Sequence, residues 1–381
     1  MARLVHAADL HLGRLLHSQS LLDDQRHALA QLRALVASQR PHALLLAGDI
    51  YDRAVPPKNA VALLDEFLSD VVLELDVPVV LIAGNHDSAE RLGFGSRLLQ
   101  SRGLHIASGL DADPCPLVIQ DEHGPVEVFA LPFLEPARVR ALLEDPQVHD
   151  QQTAMAAMVA RVHASSAHPR RVLVAHAFVD GGLASDSERP LCIGGAQGVS
   201  ADLFQGFAYT ALGHLHRPQK VGGHPVHYAG SLLKYSLNEI EQPKSFTVVD
   251  IGADGSAQVE RHSFEPLHDL RRIQGTLADL LAVAPQGPHG DWVVATLLDR
   301  GPVFDAMAKL RQHYPNMLHI ERPELELHHS IQLPGGDHAQ QGIDQLFSAF
   351  FEQVTGGALS PPEAAALDTV LAELLGREVE R

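Results

Sequence analysis

The sequence predicts an α/β protein of two packed sheets flanked by helices, followed by a small α/β unit and two C-terminal helices. Short apolar runs, typical of buried strands, alternate with longer amphipathic stretches over the first two thirds of the chain. Five of these runs end in a cluster of polar side chains, as expected where the strands of α/β sheets present a ligand site. These five runs are residues 4–8, 43–47, 79–83, 172–175 and 209–212.

The stretches between these strands predict helices. Residues 20–39 carry leucine and alanine at helical spacing on one face. Pro57 suits the start of a second helix that runs to residue 75. Residues 89–102 predict a third helix, with Asp87 or Ser88 as its N-cap. The apolar faces of the second and third helices either pack on the sheet, which the sequence favours, or join two copies of the chain.

Four later apolar runs favour a second set of strands. Their spacing is more typical of hairpins than of strands joined by helices. Two packed sheets flanked by helices are the natural way to bury both sets. These later runs are residues 126–130, 226–229, 245–250 and 257–262.

The composition of the remaining chain predicts further domains. Arg271 and Arg272 in the small α/β unit either contact a ligand or form an ordinary solvated strand end. The second C-terminal helix begins with a capping box from Ser360 to Glu363. Two helices beyond a linker bury little apolar surface alone, so they dock on the body or on another protein. The expected order is a first domain over 1–267, a small domain over 268–332, a linker over 333–342 and helices over 343–381.

The polar clusters at the five strand ends carry metal-binding side chains. They supply carboxylates, an amide and imidazoles but no thiolate, which suits manganese, magnesium or iron. Asp49 is the expected bridge, because seven side chains serve two ions with open positions only if one carboxylate is shared. Two ions about 3.5–4 Å apart can hold both the attacking and the leaving oxygen of a phosphoryl displacement. The predicted ligands are Asp9, His11, Asp49, Asn85, His176, His214 and His216.

His86 and Asp52 are the predicted catalytic residues. His86 follows the proposed ligand Asn85 and therefore points elsewhere, as a general acid for the leaving oxygen or a cationic clamp on the phosphate. A histidine in this role needs a partner that fixes its tautomer, and Asp52 is the expected partner. Asp87 either supports a ligand histidine or caps the next helix. Arg53 either contacts phosphate or forms a surface ion pair.

The five clusters together resemble the calcineurin-like metallophosphoesterase superfamily. Residues 230–236 and 244–250 narrow the resemblance to SbcD-like exonuclease subunits, which are related to the double-strand-break repair nucleases. The likeness covers nearly the whole chain, although some relatives carry a histidine where this chain has Asp52. The resemblance implies that the small domain contacts DNA and that the C-terminal helices bind the coiled coil of an SbcC-like ATPase. The implied assembly is a homodimer within a heterotetramer.

The composition limits where and how the protein works. The net charge is −18, and no region is a basic patch, so metals or a partner must supply much of the attraction for DNA. Cys115 and Cys192 are the two cysteines, and their spacing fits neither a metal nor a redox motif. Met1 leads directly into a strand, and no apolar run is long enough to span a membrane. We therefore expect a cytoplasmic protein.

The predicted metal site and the resemblance together imply a DNA phosphodiesterase with two divalent ions, Mn²⁺ first and Mg²⁺ as the alternative. The resemblance implies that it degrades duplex ends and cuts single strands or hairpins within an ATPase-coupled DNA repair and recombination complex. The sequence has no Gly-x-x-x-x-Gly-Lys phosphate loop, so ATP dependence must come from a partner. A phosphoesterase of nucleotides or phosphoproteins shares every predicted ligand but needs neither the small domain nor the C-terminal helices. The complete ligand set and His86 argue against a noncatalytic scaffold.

Overall fold

The chain divides into two compact units, Met1–Asp269 and Leu270–Arg381. The computed structural model describes residues 1–188, 198–282, 290–299, 301, 303–323, 343–355 and 357–378. The division follows residue 269, and the sequence predicted a first domain that ends at residue 267. The predicted linker over 333–342 and Cys192 lie outside the described residues. The roles assigned to the domains stay predictions.

The first sheet of the first unit contains three of the strands that end in polar clusters. In order across the sheet, the strands are β14 (Ala257–Ser263), β13 (Ser245–Ile251), β1 (Ala2–Ala7), β4 (Ala43–Ala47), β5 (Val79–Ile82) and β6 (Leu104–Ala107). Strand β1 lies inside this sheet, parallel to β4 and antiparallel to β13. Strands β5 and β6 continue the parallel part, and β14 forms a hairpin with β13.

The second sheet contains the other two such strands. Its four inner strands are parallel, and each edge strand pairs antiparallel with its neighbour. The strands in order are β11 (Gln219–Val221), β12 (Val226–Tyr228), β10 (Tyr209–Gly213), β9 (Arg171–His176), β8 (Gly124–Ala130) and β7 (Leu117–Asp121). The expected fold of two packed sheets is confirmed. The expected hairpins are present, because β8, β12 and β13 each pair antiparallel with a neighbouring strand, but the later strands do not all join the second sheet. Residues 245–250 and 257–262 extend the first sheet, because alternating apolar residues do not specify which strand they pair with.

The two sheets pack face to face over a core of small aliphatic side chains. Leu45 and Val80 from the first sheet and Val174 and Ala211 from the second belong to this core and are fully or nearly fully buried. Helices α5 (Pro136–Leu143) and α6 (Gln151–Ser165) bury their apolar residues in a second core with β8, β9 and β10. The shared core fixes the two sheets relative to each other, so that their strand ends form a rigid base for a site.

The helices of the first unit differ from the prediction at their ends. The helix expected over 20–39 begins two residues later, because residues 19 and 20 form strand β3 (Gln19–Ser20) with β2 (Leu15–Leu16). The helix expected from Pro57 to residue 75 continues as a π-helix after Ser69, and Pro57 is its N-cap. The helices are α1 (Leu22–Gln39) and α2 (Lys58–Ser69), the latter followed by the π-helix Asp70–Glu74.

The single helix expected over 89–102 is wrong, because two short helices occupy this segment. They are α3 (Ala89–Leu92) and α4 (Ser96–Gln100), and Gly95 between them has φ 73°. This left-handed backbone cannot continue an α-helix. Ser88 rather than Asp87 caps α3, since its hydroxyl accepts a hydrogen bond from the Arg91 N–H at 3.3 Å.

The second unit contains a three-stranded parallel sheet. Helices α7 (Leu277–Ala282) and α8 (Ala306–His313) share a core with it that includes Val293 and Leu310. The guanidinium of Arg271 bonds to Asp291 at 3.1 Å, and Arg272 pairs with Glu321 at 2.9 Å. Both predicted basic residues thus have ion-pair partners within this unit. The strands in order are β15 (Leu270–Gly275), β16 (Trp292–Leu297) and β17 (Met317–Glu321).

Two amphipathic helices, Ile343–Thr355 and Pro361–Glu378, follow in the second unit. Glu363 accepts hydrogen bonds from the backbone N–H of Ser360 at 2.9 Å and from its hydroxyl at 2.6 Å, so the glutamate half of the predicted capping box is present. The side chain of Phe350 is 60% exposed, and Phe347 is 42% exposed. Within the described residues, no helix is long and apolar enough to cross a membrane.

Candidate metal centre

The five predicted clusters meet at the carboxyl ends of strands from both sheets. Strands β1, β4 and β5 of the first sheet and β9 and β10 of the second contribute them. Three groups of side chains place possible ligand atoms within 4.8 Å of one another. The sequence predicted that the clusters converge, but not that two sheets share the site. The three groups are Asp9 with His11 and His216, Asp9 with Asp49 and His176, and His11 with Asp52 and His86.

One half of the site is built around two facing histidines. The Nε2 atoms of His11 and His216 are 3.1 Å apart, so both rings direct a possible ligand nitrogen at the same point. Asp9 adds a buried carboxylate to this half. It also accepts hydrogen bonds from the backbone N–H of His214 at 2.9 and 3.1 Å, which joins the ends of β1 and β10 across the two sheets.

The other half of the site brings together the ends of β5 and β9. The ring of His176 and the side-chain oxygen of Asn85 are 2.9 Å apart at Nε2 and Oδ1. The opposite nitrogen of His176, Nδ1, is 2.9 Å from the carbonyl oxygen of Ala47. A hydrogen bond from Nδ1–H to this carbonyl leaves Nε2 free as a ligand. The ring of His214 lies beside that of His176, with centroids 5.5 Å apart.

Asp49 lies between the two halves. Its Oδ2 atom is 3.7 Å from Nε2 of His11 and 3.6 Å from Nε2 of His176. Its other oxygen, Oδ1, accepts the backbone N–H of His86 at 2.9 Å, which fixes the carboxylate in place. One oxygen thus faces donors from both halves, as a bridging ligand requires.

The backbone around the site is strained. Asp9, His11, Asp49 and His214 all have positive φ, at 52°, 44°, 49° and 103°. Residues other than glycine rarely adopt this conformation, and such strain concentrates at functional sites. The neighbouring Gly84 is required by space as well, because a Cβ there would lie 2.1 Å from Oδ1 of Asp49. The chain therefore gives up some stability to direct these side chains inward.

Burial lowers the pKa of the predicted ligand histidines and so keeps them neutral, whereas it raises the pKa of the buried carboxylates. Burial lowers the pKa of His176 to about 4, and burial with neighbouring histidines lowers the pKa of His11 and His214 well below the usual range. Burial and the nearby Asp49 raise the pKa of Asp9 well above its usual range. Neutral imidazoles are the form that binds metal. Divalent cations would also offset the buried acidic charge, so this donor set fits metal ions.

His86 is anchored by Asp52, but through the backbone. Nδ1 of His86 is 2.8 Å from the carbonyl oxygen of Asp52. The Asp52 carboxylate itself accepts from Arg14 at 3.2 Å and lies 3.7 Å from Nδ1 of His11. Among the described residues, that His11 nitrogen has no hydrogen-bond partner. The catalytic role of Asp52 stays a prediction.

Asp87 joins the loops that follow β4 and β5. Its carboxylate accepts backbone hydrogen bonds from Ile50 at 3.0 Å, Tyr51 at 2.9 Å and Gly84 at 2.9 Å. Burial and the nearby Asp49 raise the pKa of Asp87 to about 7. Asp87 thus supports the loops that carry ligands, and neither a ligand histidine nor a helix cap is its partner. Arg53 is exposed.

Several residues behind His216 were missed by the sequence analysis. Ser187, Glu239 and Lys244 are all buried there. Burial alone would raise the pKa of Glu239, but His216 and Lys244 hold it below its usual range. Lys244 and Glu239 stand in or beside strings that supported the family resemblance, so their position was visible in the sequence, although their contacts were not.

Carboxylates, an amide and neutral imidazoles at the shared edge of two packed sheets define a metal-dependent phosphoester hydrolase. A model described as calcineurin-like phosphoesterase matches residues 2–218. A second model, for the C-terminal domain of SbcD and described as the type 5 capsule protein repressor C-terminal domain, matches residues 266–355.

Comparison with curated proteins narrows the class further. The chain is 31% identical to the SbcD component of the nuclease SbcCD from Staphylococcus epidermidis, over 99% of this chain and all of that protein. It is also 31% identical to SbcD of Staphylococcus saprophyticus, over 98% of each. A solved structure of a dimetal phosphatase from Danio rerio has a TM-score of 0.38 at 13% identity, over 69% of this chain and 99% of that one. The chain belongs to the SbcD nuclease subunits of the calcineurin-like phosphoesterase family.

Proposed function

We propose that the chain is a manganese-dependent DNA phosphodiesterase, with Mg²⁺ as the alternative ion, that acts in the cytoplasm as the nuclease subunit of an SbcCD complex. It would degrade duplex ends and cut single strands or hairpins. The observation that carries the proposal is the position of Asp49 Oδ2, within 3.7 Å of a ligand nitrogen in each half of the site. A single metal ion does not require an oxygen so placed.

We infer that each half of the site holds one ion. His11 and His216, with Asp9, would hold the first, and His176, Asn85 and His214 would hold the second, while Asp49 serves both. Oxygen and imidazole donors without thiolate suit Mn²⁺ or Mg²⁺. Bound ions would activate water and stabilise negative charge on the phosphate oxygens.

His86 is the proposed proton donor to the leaving 3′ oxygen. Its Nδ1–H donates to the Asp52 carbonyl, so the ring cannot turn over and Nε2 faces the site, 3.9 Å from Oδ2 of Asp49. A proton on Nε2 makes the ring an imidazolium that can donate to the leaving group, which breaks the bond without releasing a free alkoxide. The same charge would also attract the substrate phosphate.

The partner proposal rests on the C-terminal helices. Phe350 is 60% exposed and Phe347 is 42% exposed on the helix Ile343–Thr355. An apolar helix face of this kind fits the surface of a coiled coil. The relatives are named as SbcD components of a nuclease SbcCD, so we propose an SbcC-like ATPase as the partner. With a net charge of −18, the chain would then depend on this ATPase for much of its hold on DNA.

We also propose a homodimer through α2, α3 and α4. The sequence analysis favoured packing on the sheet for these segments, and Leu64 and Leu68 are indeed buried. Phe94 is nevertheless 87% exposed and Leu98 is 80% exposed. Large exposed apolar side chains on adjacent segments are typical of a protein interface. A second copy would cover them and give the proposed dimer within a heterotetramer.

The direct test is Asp49→Ala. Because Asp49 would serve both ions, we expect this variant to lose manganese-stimulated cleavage of single-stranded DNA and to bind fewer ions. Bound manganese is measured by equilibrium dialysis, and cleavage is compared on DNA, a chromogenic phosphodiester and a phosphomonoester. Full activity in the variant would contradict the two-ion site. A wild-type protein that prefers the phosphomonoester would contradict the nuclease assignment.

A further inference from the structure

A buried ion pair lies directly behind His216. Glu239 is fully buried and Lys244 is 8% exposed, and Nζ of Lys244 is 2.7 Å from Oε2 of Glu239. Both residues lie in the segment of the chain that connects β12 of the second sheet to β13 of the first. A buried ion pair is costly unless its remaining donors and acceptors are satisfied, so its position next to a ligand needs an explanation.

The pair is connected to the ring of His216 through a serine. Nδ1 of His216 is 2.6 Å from Oγ of Ser187, and that hydroxyl donates to Oε1 of Glu239. Oε1 of Glu239 is also 3.4 Å from Nδ1 of His216. Since the serine donates its only proton to the carboxylate, its oxygen must accept from the histidine. The hydrogen bonds therefore run from His216 through Ser187 to Glu239, with the proton of the His216 ring on Nδ1.

The same residues fix the backbone of His216. Its carbonyl oxygen accepts from Nζ of Lys244 at 2.8 Å, and its N–H donates to Oε1 of Glu188 at 2.6 Å. Lys244 also donates to Oγ of Ser231 at 2.9 Å. The ring of this one histidine is thus held by Ser187 and Glu239, and its two backbone groups are held by Lys244 and the half-buried Glu188. Several hydrogen bonds to one residue are expected where its ring nitrogen must point in one fixed direction.

We propose that Glu239, through Ser187, is a positioning residue that keeps the His216 proton on Nδ1 and Nε2 free as a ligand, and that Lys244 holds Glu239 in place. The inference rests on the two-ion function proposed above. Hydrogen-bond partners behind a ligand histidine raise its basicity and fix its orientation. We call the hydrogen-bonded series of His216, Ser187 and Glu239 the relay. Lys244 neutralises the Glu239 carboxylate, so that the relay adds no net charge behind the site.

Glu239→Gln tests the relay through ion binding to the metal-free protein. We expect the affinity for one Mn²⁺ to fall by about 10- to 100-fold while the second ion binds as before, because only His216 is affected. Glu66→Gln is the matched control, since Glu66 is exposed and pairs with Arg26. Isothermal titration and the electron paramagnetic resonance of free Mn²⁺ give both affinities and the number of ions.

Two further variants separate positioning from folding. Glu239→Gln with Lys244→Met removes both buried charges, and we expect it to recover the melting temperature but not the lost Mn²⁺ affinity. Ser187→Ala leaves the ion pair intact, and we expect a smaller loss at the same ion. If the double variant regains full affinity, or if Ser187→Ala and Glu239→Gln both bind two ions normally, the relay is overturned. A wild-type protein that binds one ion would instead overturn the two-ion function.

Discussion

At the scale of single residues, backbone carbonyls decide which nitrogen can act in two of the site histidines, His86 and His176. The carbonyl of Ala47 lies against Nδ1 of His176, and that of Asp52 lies against Nδ1 of His86. Both rings therefore present Nε2 to the site. Because these carbonyls are main-chain atoms, a side-chain mutation of Ala47 or Asp52 does not remove them. A mutation of the histidine ring and a mutation of the residue that supplies the carbonyl should therefore have different effects.

His86→Ala should separate chemistry from metal binding. We expect both ions to remain and turnover on single-stranded DNA to fall about 10²–10⁴-fold, as for loss of a general acid. Asp52→Asn is the informative comparison, since it retains the carbonyl that holds His86 and should therefore lose much less activity. Single-turnover rates at saturating Mn²⁺, with bound metal measured on the same samples, check this. Loss of an ion from His86→Ala would make His86 a ligand.

His6 should make stability depend on pH. Burial, with a smaller effect of His227, lowers the pKa of His6 to about 3. Between this value and about 6.5, the unfolded chain holds one more proton than the folded chain, so the free energy of unfolding increases with pH. The contribution is complete above about pH 6.5 and is lost as pH falls toward 3. His6→Gln should therefore reduce the slope by up to about 1.4 kcal/mol per pH unit.

The measurement for His6→Gln is urea unfolding of the metal-free protein at several pH values between about 4 and 6, inside the window set by the two pKa values. His149→Gln is the matched control, because the side chain of His149 is 65% exposed. The comparison of slopes is independent of any overall stability lost through the hydrogen bond between His6 and Tyr209, which joins Nδ1 and the phenol oxygen at 2.9 Å. Equal slopes in wild type and His6→Gln would contradict the prediction.

Single residues were also where the sequence was most and least informative. Asp49 and His86 were found because carboxylates and histidines at strand ends are chemically specific. Asp52 was the expected partner of His86, but its backbone carbonyl as the contact atom could not be predicted, because a backbone carbonyl has no sequence signature. Glu239 was missed for another reason: it meets His216 from 23 residues away, and no spacing rule covers such a contact.

At the scale of elements, the sequence identified strands better than their partners. All five strands that carry ligands exist, since continuous apolar runs are typical of strands buried on both faces. The assignment of residues 245–250 to the second set failed because the pleat alternates in the same way whatever the neighbouring strand. The helix over 89–102 failed because Gly95 adopts positive φ, and its neighbour Phe94 turns outward.

The outward face of α3 and α4 should control the oligomeric state. Phe94→Glu with Leu98→Glu places charge at two strongly exposed apolar positions, so we expect the sedimenting mass to fall from a dimer to a monomer. Val118→Glu on β7 is the matched control, because Val118 is 48% exposed but lies on another element. Analytical ultracentrifugation at micromolar concentration distinguishes the two masses. A double variant that remains dimeric would place the interface elsewhere.

At the scale of the whole molecule, the division after residue 269 separates the site from the C-terminal helices. Every proposed ligand lies in the first unit, and the exposed phenylalanines lie in the second. Composition and pattern predicted this separation, because the ligand clusters end at His216 and the capping box begins at Ser360. Chemistry and partner binding should therefore be separable by truncation.

A chain that ends near residue 334 should remain folded and still nick single-stranded DNA with Mn²⁺. It should fail to bind an SbcC-like ATPase and lose ATP-dependent degradation of duplex ends. Phe347→Glu with Phe350→Glu in the full chain should give the same loss, because both side chains are exposed. Copurification with the ATPase and melting temperature are the two measurements. A truncated protein that still copurifies would rule out docking through these helices.

The pairing of β1 with β13 has a consequence for the newly made protein. Leu4 lies opposite Val249, so the strand that carries Asp9 completes its place in the sheet only after nearly 250 residues have left the ribosome. Contacts so distant in sequence form late in folding. Glu239 and Lys244 emerge at the same stage. A chain that ends before Glu239 would therefore leave one edge of β1 unpaired and would lack part of the support behind His216.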